Sequence, residues 1–97
     1  MSPKVSPMPE IVIYTTAFCP YCHAAKDLLA RKGADYSEID VTGDPEGRRR
    51  MTERAGGRRT VPQIFIGDRH VGGCDELYAL DRRGDLDRLL QPQEAGR

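Results

Sequence analysis

Ala17-Phe18-Cys19-Pro20-Tyr21-Cys22 stands where an apolar, strand-like run ends and a helix-like pattern begins. Proline at a first helical position gives up no hydrogen bond and presets the helical φ, which leaves Cys19 at the N-cap. Two thiols spaced i and i+3 at a helix start lie on adjacent faces of one turn, close enough to form a disulfide after little rearrangement. Cys19 faces the free amides of the first turn. Cys22, one turn inside, is expected to be more buried and to hold its proton more tightly. The asymmetry assigns roles: Cys19 attacks a disulfide and Cys22 resolves the mixed disulfide that results.

Only the thiolate attacks, and a free cysteine, with a pKa of about 8.5, is a few per cent thiolate at neutral pH. A strongly acidic thiol needs about 4 kcal/mol of preferential anion stabilisation. The helix dipole supplies about 0.3–1 kcal/mol, at best ~2. Charge-assisted bonds from first-turn amides, at ~1.5–3 kcal/mol each, are expected to supply the remainder. Cys19-Pro20-Tyr21-Cys22-His23 also matches the Cys-x-x-Cys-His pattern of c-type haem attachment. That reading wants an export signal and a haem-sized apolar pocket, and the sequence suggests neither.

Upstream, Glu10-Ile11-Val12-Ile13-Tyr14-Thr15 is β-branched and nearly continuously apolar, which suits a central strand buried on both faces. Met1 to Pro9 carries three prolines and reads as a flexible leader (1–9), with the folded domain over 10–91 and a frayed tail over 92–97. Downstream, Cys22, Ala25, Leu28 and Leu29 form a helical apolar stripe that Gly33 ends. Ala34 to Val41 is a more polar strand, placed at the sheet edge and parallel to the first through a right-handed crossover. Asp44-Pro45-Glu46 opens a second helix that runs through Ala55, and its Arg48, Arg49, Arg50 and Arg54 read as a solvated face. Thr60-Val61-Pro62 leads into a strand over Gln63 to Ile66, with Pro62 at its first position, and Gly67-Asp68 turns it into a hairpin with Arg69-His70-Val71. Gly72-Gly73-Cys74-Asp75 then opens a helix capped by Asp75 or Cys74, and a last helix uses Leu86, Leu89 and Leu90.

The chain of 97 residues makes one domain. Basic and acidic residues balance at 15 each, so no overall field argues for nucleic acid or an anionic membrane. No stretch approaches the ~20 apolar residues of a membrane span. Three cysteines are too few for a disulfide scaffold, which points to a reducing cytoplasm. Cys74 reads as a small residue at a helix start; its oxidation or glutathionylation is the sharper alternative. A zinc site from Cys19, Cys22, His70 and Cys74 has suitable ligand types but scattered placement, and no metal is expected.

The order strand, Cys-Pro-Tyr-Cys, helix, strand, helix, Thr60-Val61-Pro62, hairpin, Gly72-Gly73-Cys74-Asp75 resembles the glutaredoxins, most of all the small bacterial dithiol type. The resemblance covers roughly Glu10 to Gln91. It implies an α/β thioredoxin fold, a four-stranded mixed sheet flanked by helices, with no permanently bound cofactor and glutathione as reducing co-substrate. It also implies a cis bond before Pro62 and a glutathione groove. There Val61 pairs with the cysteinyl part, Tyr21 and Thr60 line the wall, and Arg58 takes the glycyl carboxylate. Gly72-Gly73 and the helix start that follows at Cys74 form a site of free amides for the γ-glutamyl carboxylate, with Gly73 and Cys74 at the groove, and Asp75 takes its ammonium. Family members commonly carry lysine three residues before the first cysteine; here that position is Thr16, which supplies no charge.

The expected activity is therefore glutathione-dependent reduction of disulfide-containing or glutathionylated proteins by a monomer. Two alternatives stand beside it. One is a glutathione-assisted iron-sulfur cluster carrier, against which rigid Pro20 and bulky Tyr21 argue. The other is a thioredoxin-like enzyme served by a reductase, which usually shows a tryptophan beside its first cysteine; this chain has none.

Overall fold

The computed structural model describes residues 9–91. The expected tail, and the leader apart from Pro9, lie outside the described residues. Eight elements follow in order: β1 (Ile11–Thr15), α1 (Pro20–Arg31), β2 (Ser37–Asp40), α2 (Pro45–Arg54), β3 (Gln63–Ile66), β4 (Arg69–Gly72), α3 (Cys74–Arg82) and α4 (Asp85–Leu90). The sheet order is β2-β1-β3-β4. β1 and β2 run parallel, whereas β1 with β3 and β3 with β4 are antiparallel, so the sheet is mixed. With helices on both faces this is the expected thioredoxin fold, and β1 is interior as its apolar run requires.

Alternation along β1 and β3 divides the core in two. Ile11, Ile13, Ile64 and Ile66 face α1, α3 and α4, where Leu28, Leu29, Leu77 and Leu86 complete a buried cluster. Val12, Tyr14 and Phe65 face α2, which contributes only Met51 and the adjoining Ala55. Arg54 makes up part of the deficit by laying its guanidinium 4.2 Å from the Phe65 ring centroid, a cation–π contact. The second face of Phe65 carries the His70 ring, stacked at 4.8 Å.

Two boundaries and one helix face differ from expectation. β3 begins at Gln63, one residue after Pro62, because proline has no N–H to give the ladder. Gly73, neither Cys74 nor Asp75, is the N-cap of α3, so both of those residues are already helical. The arginines of α2 are only partly a solvated face. Arg49 pairs with Glu46 and Glu53 in solvent, but Arg54 packs on Phe65. Arg48 donates from Nε (3.1 Å) and Nη2 (2.8 Å) to the Arg59 carbonyl.

This topology gathers the site. Because β3 runs antiparallel to β1, the segment preceding β3 lies beside the segment that follows β1. Because β4 runs antiparallel to β3, with Gly72 opposite Ile64, the start of α3 arrives at the same end. The Cys19 loop, Thr60-Val61-Pro62 and Gly72-Gly73 therefore converge.

Candidate active site

Cys19 is the N-cap of α1, extended at φ −133° and ψ 99°, with Pro20 behind it. Its Sγ accepts the Cys22 N–H at 3.1 Å, and the Val61 carbonyl lies 3.8 Å away. An amide N–H aimed at sulfur stabilises negative charge on it. No acidic residue occupies the first turn of α1 to oppose that charge. Both cysteines are buried, Cys19 at 7% exposure and Cys22 at 1%, so Cys19 is the outer of the two.

Burial, then the hydrogen bond and charge of Cys19, push the Cys22 thiol up to about 12. The Thr16 backbone and the Lys26 charge pull the other way. Lys26, one turn further along α1, is held by Glu38 at 3.0 Å. Glu38 in turn accepts the hydroxyl of buried Thr15 at 2.7 Å. Two of the causes that keep Cys22 protonated, the hydrogen bond and the charge, thus come from Cys19 itself.

Beside the cysteines lies a cavity of about 230 Å³. Tyr21, Arg58, Thr60, Val61, Pro62, Gly73, Cys74 and Asp75, all singled out in the sequence, line it together. The Val61–Pro62 bond is cis, as the resemblance implied. Gly72 has φ +113°, and a Cβ there would stand 2.8 Å from Arg58 Nη1, so glycine is needed for both conformation and space.

Sequence reasoning missed the ninth wall residue, Glu76. Its Oε1 accepts the Gly73 N–H at 2.6 Å and lies 3.6 Å from Arg58 Nη2. The Gly73 amide, with help from Arg58, holds this carboxyl below the usual carboxylate range. The available signal was an acid three residues after a helix cap. With Glu76 doing the capping, the Asp75 side chain is left exposed at the wall.

Gln63 was missed as well. It is fully buried, and its Nε2 donates to the Thr60 carbonyl at 3.0 Å and hydroxyl at 3.1 Å. Its Oε1 lies 2.7 Å from His70 Nε2, which fits an imidazole protonated on Nε2. Burial first, then the Arg58 charge, lower the His70 pKa, so the ring is neutral at physiological pH. Gln63 and Arg48 thus tether the segment before Pro62, at Thr60 and at the Arg59 carbonyl. Cys74, at the wall, has its thiol pushed up by burial and then by Asp75, Cys19 and Glu76. His23 is exposed.

A glutaredoxin family model matches residues 11–71. A glutaredoxin of Pseudomonas aeruginosa is 60% identical over 83 residues, covering 86% of this chain and 98% of that protein. Glutaredoxin 3 of Escherichia coli is 54% identical over 84 residues, covering 87% of this chain and all of that protein. The solution structure of glutaredoxin from Brucella melitensis superposes with a TM-score of 0.76 at 57% identity, over 93% of this chain and 94% of that one. A buckwheat glutaredoxin crystallised as its glutathione complex superposes with a TM-score of 0.76 at 33% identity, over 84% and 76% of the two chains.

Proposed function

We propose, from the premise that this chain belongs to the glutaredoxin family and is thereby a glutathione-dependent thiol-disulfide oxidoreductase, that Cys19 and Cys22 divide its reaction between them. The observation that carries the division is the Cys22 N–H held on the Cys19 sulfur at 3.1 Å while the Cys22 thiol stays protonated.

With a glutathionylated protein, the Cys19 sulfur attacks the glutathione sulfur and expels the protein thiolate, which takes a proton from water. A second glutathione thiolate then attacks the glutathionyl sulfur, releasing glutathione disulfide and restoring Cys19. With a protein disulfide, the Cys19 thiolate attacks one protein sulfur, the protein's S–S bond breaks, and the other protein sulfur leaves as a thiolate that takes a proton from water. Cys22 then attacks Cys19, releasing the reduced protein and leaving Cys19–Cys22 oxidised. Two glutathiones, oxidised together to their disulfide, return the dithiol.

Glutathione occupies the cavity beside Cys19 in this reading. The exposed backbone of Val61 pairs with its cysteinyl part. Arg58 meets the glycyl carboxylate, and the first-turn amides of α3 at Cys74 and Asp75 meet the γ-glutamyl carboxylate. Thr60 and Tyr21 form the walls, and the Asp75 carboxylate receives the ammonium. The enzyme acts as a monomer in a reducing cytoplasm, where glutathione is kept reduced. Pro20 and Tyr21 between the cysteines favour this over cluster carriage, and a brown protein from iron-replete expression would reverse that preference.

Two coupled assays run side by side test the reading. Turnover is expected with glutathione and glutathione reductase and is expected to be at background with thioredoxin reductase. The opposite pattern contradicts it.

A further inference from the structure

Among the described residues three large apolar side chains are exposed: Phe18, Tyr21 and Ile39. Single exposed apolar residues are ordinary, but two of these three bracket Cys19. Tyr21 belongs to the cavity wall. Phe18, 95% exposed, does not.

The sheet order puts the tether of the Phe18 loop and the cavity on opposite sides of β1. The cavity walls come from the segment before β3 and from the start of α3. The loop bearing Phe18 is tied the other way, by the Ala17 N–H donating to Thr42 Oγ1 at 2.7 Å in the segment after β2. β2 and β3 flank β1 on its two sides. A substrate mixed disulfide has two halves, and both meet at Cys19. If the cavity takes glutathione, the mouth on the Phe18 side is left for the other half.

We propose that Phe18 is a specificity-determining residue that contacts an apolar side chain next to the reacting cysteine of a peptide or protein substrate. The inference rests on the reaction assigned above. In that step a bond forms between the Cys19 and glutathione sulfurs, and the bond between glutathione and the substrate cysteine breaks. The substrate chain stands over the mouth while this happens. An exposed ring next to Cys19 in the chain, on a backbone fixed by the Ala17 tie and by Pro20, gains contact with an apolar neighbour and gains nothing from a small thiol. Its effect therefore falls on kcat/KM for apolar-flanked chains.

The test uses the full chain, its Phe18→Ser and Phe18→Leu variants, and three substrates. Two are glutathionylated peptides identical except that leucines or serines flank the cysteine; the third is the mixed disulfide of glutathione and 2-mercaptoethanol. Phe18→Ser is expected to lose about five- to tenfold in kcat/KM on the leucine-flanked peptide and less than about twofold on the other two. Phe18→Leu is expected to recover most of the loss. Because the ring is exposed, thermal unfolding of both variants is expected to match the parent. Equal loss on all three substrates, or no loss on the leucine-flanked peptide, overturns the proposal. A parent chain inactive on all three overturns the assigned reaction, and the role of Phe18 with it.

Discussion

α1 and α3 begin at the same end of the sheet, and each brings a cysteine there in a different electrostatic setting. At α1 the cysteine is the N-cap itself, an amide of the first turn bonds its sulfur, and no acid stands nearby in the helix. At α3 the cap is Gly73, the cysteine lies one residue further in, and Asp75 and Glu76 fill the first turn. There the thiol is pushed up by burial and by those acids. The dipole has the same sign at both starts and is worth about 0.3–1 kcal/mol, so it cannot separate the two sulfurs. What separates them is whether an amide points at sulfur and whether carboxylates crowd it. α1 uses an amide for the sulfur of its own cap. α3 fixes its turn with Glu76 and leaves the amides of Cys74 and Asp75 without partners inside the helix, available to an anion from outside.

The largest expected effects lie at α1. Cys19→Ser is expected to lower turnover of protein disulfides and of glutathionylated substrates by at least about 10³-fold, because the sulfur that makes the first attack on either substrate is gone. Cys22→Ser is expected to cost about 100-fold or more on protein disulfides while deglutathionylation stays within about threefold. Equal losses in both assays would erase the difference between outer and inner sulfur. pH sharpens it further: with a raised pKa, Cys22 is protonated across the neutral range. The Cys22-dependent release rate is therefore expected to climb from pH 7 to 9, and stopped-flow release of a fluorescent disulfide substrate reads it directly.

Smaller effects belong to α3. Arg58→Gln is expected to raise KM for glutathione about three- to tenfold with kcat little changed, since a half-exposed charge-assisted contact is removed. Glu76→Gln is expected to lower stability by about 0.5 kcal/mol or less, the side chain being 48% exposed and screened. Its carboxyl is held below the ordinary value of 4.5, so its contribution is full above that pH. It is lost as the pH falls through the lowered native value, and the denaturation midpoints of the two proteins are expected to converge in acid.

Much of the α1 start was legible because its signals are local. Pro20 fixes the first helical residue, which fixes the cap, and an apolar run on the preceding residues fixes an interior strand. At α3 the sequence shows two acids side by side, and which one reaches back depends on the backbone at Gly73 and on Arg58 from another segment. That information is tertiary, and local pattern therefore puts the cap one or two residues late, at Cys74 or Asp75. The same holds for Arg48, whose role needs the Arg59 carbonyl to come within 2.8 Å. It holds too for Gln63, whose three polar contacts come from β4 and from the segment ahead of its own strand. The convergence of the cavity residues was legible only through the resemblance, because no local pattern states that β3 lies antiparallel to β1.

The central claim is that, of three free cysteines that are all buried, the one whose sulfur takes a first-turn amide is prepared to react, while burial together with neighbouring charge holds the other two thiols protonated. Brief treatment of the reduced protein with a limiting amount of iodoacetamide at pH 7, followed by peptide mass mapping, tests it directly. The account predicts that the first adduct falls on Cys19, with Cys22 and Cys74 unmodified until Cys19 is consumed. Labelling of Cys22 or Cys74 at a rate comparable to Cys19 would contradict it.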